Sequence, residues 1–179
     1  ILRLGSVYGY SSTDTMRINI MPNLFSKITS QNGVISLFGG GKQIKSVVNL
    51  IDVVRCMKFM EENEKIKKET FNLVQETVTV KDVADICKKH NPKVTIKTTD
   101  YEIPNLGYTL SNKKLQSAGF KFLYNLDESI SEMIKKWSYI KFDNDLEYKY
   151  RGEKEYIDKR GKISNYELTE PINLIGYIE

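Results

Sequence analysis

The sequence predicts a mixed-sheet α/β fold followed by a short β-rich tail, and three observations carry that expectation. From Ile1 to about Tyr139, apolar β-prone stretches alternate with stretches whose apolar residues recur every three or four positions. Gly, Asn, Asp and Ser punctuate the changes between them. After Tyr139 helical periodicity stops and only β-like stretches follow.

In order, Ile1 to Val7 alternates like a strand and ends at the turn Tyr8-Gly9. Ser11 to Asp14 is a polar loop. From Arg17 to Ser30, Ile18, Met21, Leu24, Phe25 and Ile28 form one apolar stripe, with Pro22 tolerated in the first turns and Asn32-Gly33 as the stop. Val34 to Phe38 is a short strand, Gly39-Gly40-Gly41 a hairpin-like turn, and Lys45 to Leu50 the next strand. Asp52 caps a helix through Glu62, with Val53, Met57 and Met60 inward and Lys65 to Lys68 as its charged exit. Thr70 to Val74 is a strand. Thr79 caps a helix over Val80 to His90, and Val94 to Lys97 is again a strand. After a loop with Pro104 and Gly107, Ser111 starts a short helix that Gly119 ends. Asp127 begins the last helix, which buries Ile130, Met133, Ile134 and Trp137.

Composition excludes several classes. No window approaches the ~20 apolar residues of a membrane span, so no membrane partner is expected. Two well-separated cysteines, Cys56 and Cys87, read as buried thiols, which points to a reducing, cytoplasmic setting. His90 is the only histidine, so no multi-histidine metal site is expected. The net charge of +4 is mild and its lysines cluster near predicted helix ends, which argues against a nucleic-acid surface. The chain opens on Ile1 inside an apolar strand and reads as part of a longer protein.

Two stretches carry a resemblance beyond a generic α/β fold. Leu2-Arg3-Leu4-Gly5-Ser6-Val7-Tyr8-Gly9 resembles the strand and turn after the catalytic helix of extended short-chain dehydrogenases, the NAD-dependent sugar-nucleotide epimerases and dehydratases. Leu37-Phe38-Gly39-Gly40-Gly41-Lys42-Gln43-Ile44-Lys45-Ser46, followed by Val48 to Val53, is similar to their second landmark. Asn19-Ile20-Met21-Pro22 lies between the two, and Phe71-Asn72-Leu73 and Leu115 to Phe120 match weaker downstream signatures. The resemblance covers about residues 1 to 140. It implies the C-terminal part of a Rossmann-type enzyme: the last strands plus the substrate-binding subdomain.

A nucleotide sugar presents a diphosphate, a flat base and a hydroxyl-rich ring, so its site needs a cation, backbone donors, an apolar platform and short polar side chains. By resemblance, Lys45 meets the diphosphate where relatives carry Arg, giving a point charge without Arg's bidentate fork. Phe38 packs on the base, and from the residues alone it fits core filling equally well. Asn19 and the amides near Ile20 contact the nucleotide; an early-helix Asn also suits a cap. Gly5 and Ser6 lie beside the nicotinamide and the sugar, with Ser6 where many relatives have Asn. Tyr8 and Asp52 receive no chemistry.

The family's Gly-x-x-Gly-x-x-Gly turn is absent, and no Tyr-x-x-x-Lys occurs in the matched region; Tyr150 to Lys154 has the spacing but lies in the tail. The resemblance therefore implies no catalytic residue here, NAD or NADP bound mainly by a part outside this chain, a nucleotide-sugar substrate and a homodimeric parent. The expected divisions are residues 1–140 as the substrate-binding portion, 141–147 as a linker and 148–179 as a truncated β module. Tyr148 to Glu179 is similar to the opening of cupin-type sugar epimerase modules. The alternative reading is a non-catalytic nucleotide-sugar-binding or scaffold module.

Overall fold

The computed structural model describes residues 1–10, 18–63, 66, 68–100 and 106–139, together with the backbone of 155–157 and 163–165. The strands of the larger unit are β1 (Leu2–Leu4), β2 (Ser6–Tyr8), β3 (Val34–Phe38), β4 (Ile44–Asn49), β5 (Phe71–Leu73), β6 (Glu76–Thr79) and β7 (Thr95–Thr99). Its helices are α1 (Met21–Ser30), α2 (Leu50–Glu62), α3 (Val80–His90), α4 (Lys113–Ser117) and α5 (Leu126–Ser138). The chain divides into Ile1–Tyr139 and Ile140–Glu179. In the second unit β8 (Glu155–Ile157) pairs antiparallel with β9 (Ile163–Asn165). The expected linker at 141–147 and most of the β module at 148–179 fall outside the described residues, as do Ser11 to Arg17 and Pro104.

Three small sheets make the larger unit. β1 pairs parallel with β5, and β3 parallel with β7. Between them in sequence, β4 is the centre of a three-stranded sheet, parallel to β2 and antiparallel to β6. The stretch Ile1 to Val7 is therefore two strands rather than one. Gly5 makes the break: its N–H donates to the Leu73 carbonyl at 3.1 Å, the β5 side, whereas Ser6 already pairs with Val47 of β4. A Cβ at Gly5 would fall 2.6 Å from the Ser46 carbonyl oxygen, so the crossing from one sheet to the next requires glycine.

Two cores result. Val48, Val53, Cys56, Phe71, Leu73, Leu115 and Phe120 form the first, sealing α2 and α4 onto β5. The second lies where α1 packs on α5 and α3, and it buries Leu24, Phe25, Ile28, Val83, Cys87, Ile130, Met133 and Trp137. The expected stripes of α1 and α5 are thus inward. In α2 Val53 and Cys56 are buried in the first core and Met60 packs against it, while Met57, one position beyond Cys56, is 52% exposed. Burial raises both thiols, Cys56 to about 11 and Cys87 to about 12, which keeps them protonated and inert.

Boundaries shift where a cap decides them. Helix α1 begins at Met21 with Pro22 in its first turn, a place where the missing N–H costs nothing, and Ile20 before it is extended. Helix α2 begins at Leu50, capped by Asn49 and not by Asp52. Asn125, not Asp127, caps α5, and Asn112 rather than Ser111 precedes α4. The Gly39–Gly41 run is a 3-10 turn with all three φ angles positive. It is no hairpin, because β3 and β4 leave for different sheets. The short polar strand β6 has no periodicity to announce it and exists because β4 offers it an open side.

Candidate functional site

Side chains alternate across a strand, so the register of β2, β4 and β6 assigns each face. Ser6, Tyr8, Lys45, Val47, Asn49, Glu76 and Val78 share one face. At one end of that face Asn49 Nδ2 donates to Ser129 Oγ at 3.0 Å, and Glu76 Oε1 accepts the Leu126 N–H at 2.6 Å, which docks the start of α5. Tyr8, 1% exposed, completes this polar cluster. Burial holds its phenol far above the usual range, against the opposing influence of Ser129 and Asn49 beside it. Tyr8 therefore stays a neutral phenol inside this cluster.

Lys45 lies at the other end of the same face. It is half-buried on β4 opposite Val78 of β6, just before the stretch Val47 to Asn49 that pairs with β2. Ser6 pairs with Val47, so Lys45 lies two residues, about 6.6 Å, further along the same face. The opposite face is occupied: Ser46 Oγ sits 3.1 Å from Thr77 Oγ1 and accepts the Leu110 N–H at 3.1 Å.

The other expected residues lie on other elements. Gly5 is half-buried at the β1–β2 crossing. Phe38, partly buried, ends β3 opposite Thr99 and accepts a bond from Gln43 Nε2 through its carbonyl. The Gly39–Gly41 turn then leads directly into β4. Asn19 is exposed, and Ile20 is the residue that precedes the first helical turn of α1. Ile20, at the capping position, supplies no side-chain cap. Gly5, Ser6 and Lys45 thus belong to one sheet neighbourhood; Phe38 belongs to the β3–β7 sheet, and Asn19 and Ile20 to the approach to α1.

Sequence reasoning missed the links that hold these pieces. Asn49, directly before the apolar run Leu50-Ile51, carried a readable N-cap signal, and its Oδ1 accepts the Ile51 N–H at 2.8 Å. Asn23 carried none; its Oδ1 accepts the Gly9 N–H at 3.0 Å and joins α1 to the end of β2. Asp52, fully buried, accepts from the backbone N–H groups of Leu123 (3.1 Å) and Tyr124 (3.0 Å) and pairs with Arg55. Among the described residues no three His, Cys, Asp or Glu side chains cluster as metal ligands, and no helix is long and apolar enough to cross a membrane.

No protein-family model matches the chain. Solved structures do match it. The UDP-glucose 4-epimerase of Thermotoga maritima, solved with UDP-glucose, has a TM-score of 0.63 at 19% identity over 75% of this chain and 44% of that one. The UDP-glucuronic acid 4-epimerase of Bacillus cereus, solved with UDP-glucuronic acid and NAD, gives 0.62 at 19% over 75% and 44%. The dTDP-glucose 4,6-dehydratase of Bacillus anthracis, in complex with NAD, gives 0.61 at 13% over 82% and 45%. The chain spans less than half the length of these structures. Its mixed α/β architecture with parallel strand pairs is the fold of the corresponding part of such epimerases and dehydratases.

Proposed function

We propose that this chain is the substrate-binding part of an NAD(P)-dependent nucleotide-sugar epimerase or dehydratase. The observation that carries the reading is the arrangement of Ser6 and Lys45. A short hydroxyl and a cation, both partly exposed, stand on one face of one sheet, two residues apart along it. The fold likeness to enzymes solved with UDP-sugars and NAD supports it, as does the order of the sequence landmarks.

In this reading Lys45 neutralises the diphosphate as a point charge on a rigid central strand. Ser6 offers its hydroxyl to the sugar. Asn19 and the backbone at Ile20 contact the nucleotide, where the helix macrodipole favours the anion. Phe38 provides an apolar surface for the base. NAD or NADP, when bound, supplies the hydride chemistry. Gly5 suits a neighbouring nicotinamide because it leaves the strand end without a side chain, its Cβ space being taken by Ser46. The family's Gly-x-x-Gly-x-x-Gly turn does not occur in these 179 residues and Tyr-x-x-x-Lys does not occur in residues 1–140; in this reading the full-length protein supplies both.

The test is calorimetric titration of UDP-glucose and dTDP-glucose into the full-length protein. Replacing Lys45 with Ala should weaken binding at least about tenfold, and Lys45→Arg should retain it. Undiminished binding by Lys45→Ala would remove Lys45 from the diphosphate site. Nucleotide-sugar binding with no turnover by the full-length protein would favour a binding module over an enzyme.

A further inference from the structure

We infer that Asn23 is the positioning residue that sets the start of α1 against the end of β2, and thereby the geometry in which Asn19 and Ile20 meet the nucleotide. The inference rests on the functional reading above. Asn23 is 4% exposed in the third position of α1. Asparagine is among the weaker helix formers, and burying its amide is unfavourable unless it is bonded. One of its bonds leaves its own helix: its Oδ1 accepts the Gly9 N–H at 3.0 Å.

Gly9 is confined from a second direction. A Cβ there would lie 3.1 Å from the Leu50 Cβ, so the end of β2 is wedged between the first turns of α1 and α2. Ser6 lies on that same short strand, three residues before Gly9. On the helix side, the Leu24 N–H to Ile20 carbonyl bond of 3.0 Å makes Ile20 rigid with the turn that contains Asn23. A shift at the Asn23–Gly9 contact therefore moves Asn19 and Ile20 relative to Ser6. Gly5 is bonded to the other side, to the Leu73 carbonyl of β5, and the dinucleotide is bound mainly outside this chain in the functional reading, so a defect here should weaken the nucleotide sugar more than NAD.

The experiment titrates UDP-glucose, dTDP-glucose and, separately, NAD into the full-length protein as wild type, Asn23→Leu and Asn23→Asp. Leucine keeps the size and removes the acceptor; aspartate keeps an oxygen for the Gly9 N–H. The expected result is a nucleotide-sugar affinity about tenfold weaker in Asn23→Leu, NAD affinity within about twofold of wild type, and recovery in Asn23→Asp. Equal losses for sugar nucleotide and NAD, wild-type behaviour of Asn23→Leu, or no recovery in Asn23→Asp would each overturn the inference and leave the functional reading intact. If wild type binds neither sugar nucleotide, the reading itself falls and the inference with it. Should leucine prevent folding, Asn23→Ser is smaller and still polar, and the same split between the two ligands is required of it.

Discussion

Two helices begin beside Gly9, and they begin differently. The start of α2 is closed by its own protein: Asn49 caps it, the same Asn49 holds Ser129, and Asp52 in its first turn takes the backbone N–H groups of Leu123 and Tyr124. The start of α1 has an isoleucine at the capping position and no side-chain cap, with Pro22 in its first turn. Its polar contact to the strand, through Asn23, aligns the helix without capping it. A helix start closed by side chains fixes architecture, whereas in the proposed function the start of α1 receives an external anion. The difference separates Asp52, which looked like a cap and is an anchor, from Asn19 and Ile20, proposed for the nucleotide.

The sharpest way to break this comparison is Asp52→Ala. It removes the buried carboxylate that accepts two backbone N–H groups and pairs with Arg55, and should cost about 2–3 kcal/mol in urea unfolding. An unchanged midpoint would mean that the α2 start is not held from within. A smaller effect is expected at α1. Ile20 already has the extended backbone of a capping residue (φ −68°, ψ 124°), so Ile20→Thr should add up to about 1 kcal/mol of stability by capping. Nucleotide-sugar affinity should fall severalfold as the helix end is satisfied internally; tighter binding would contradict the proposed use of that end. The smallest effect concerns α3, whose start is closed by a reciprocal capping box between Thr79 and Asp82. The Thr79 N–H and then its hydroxyl hold the Asp82 carboxyl below its ordinary range. That stabilisation is present above the unfolded value near 3.9 and is lost as pH falls through the lower folded value. Asp82→Asn should flatten part of the stability loss between pH 5 and pH 2. Asp127 beside Lys89 and His90 and Glu69 beside Lys114, both lowered as well, act in the same direction. An unaltered acid limb would show the box to be open in solution.

Legibility followed the range of the interactions. Thr79 as a cap and Gly119 as a stop were readable because partner and signal lie within one turn. The α5 stripe was readable because Ile130, Met133, Ile134 and Trp137 repeat at helical spacing whatever covers them. Asp52 misled because an acidic residue before an apolar run satisfies the same local pattern as a cap; its true partners lie 71 and 72 residues away. For the candidate site, residue types and order were visible in the sequence. That Lys45 stands on a central strand, on the face of Ser6, was not, because pairing β4 with both β2 and β6 is a long-range choice.

By itself the sequence determined the alternation of strands and helices, the apolar stripes and most of the stops. Each of these is set by backbone sterics and by side-chain periodicity within a few residues. Only the tertiary structure decided that Ile1 to Val7 splits at Gly5 between two sheets, that Asn23 reaches Gly9, and that Asp52 serves a segment far along the chain. The physical reason is the same in each case. A buried N–H must find an acceptor, and which distant residue supplies it is fixed by how the elements pack.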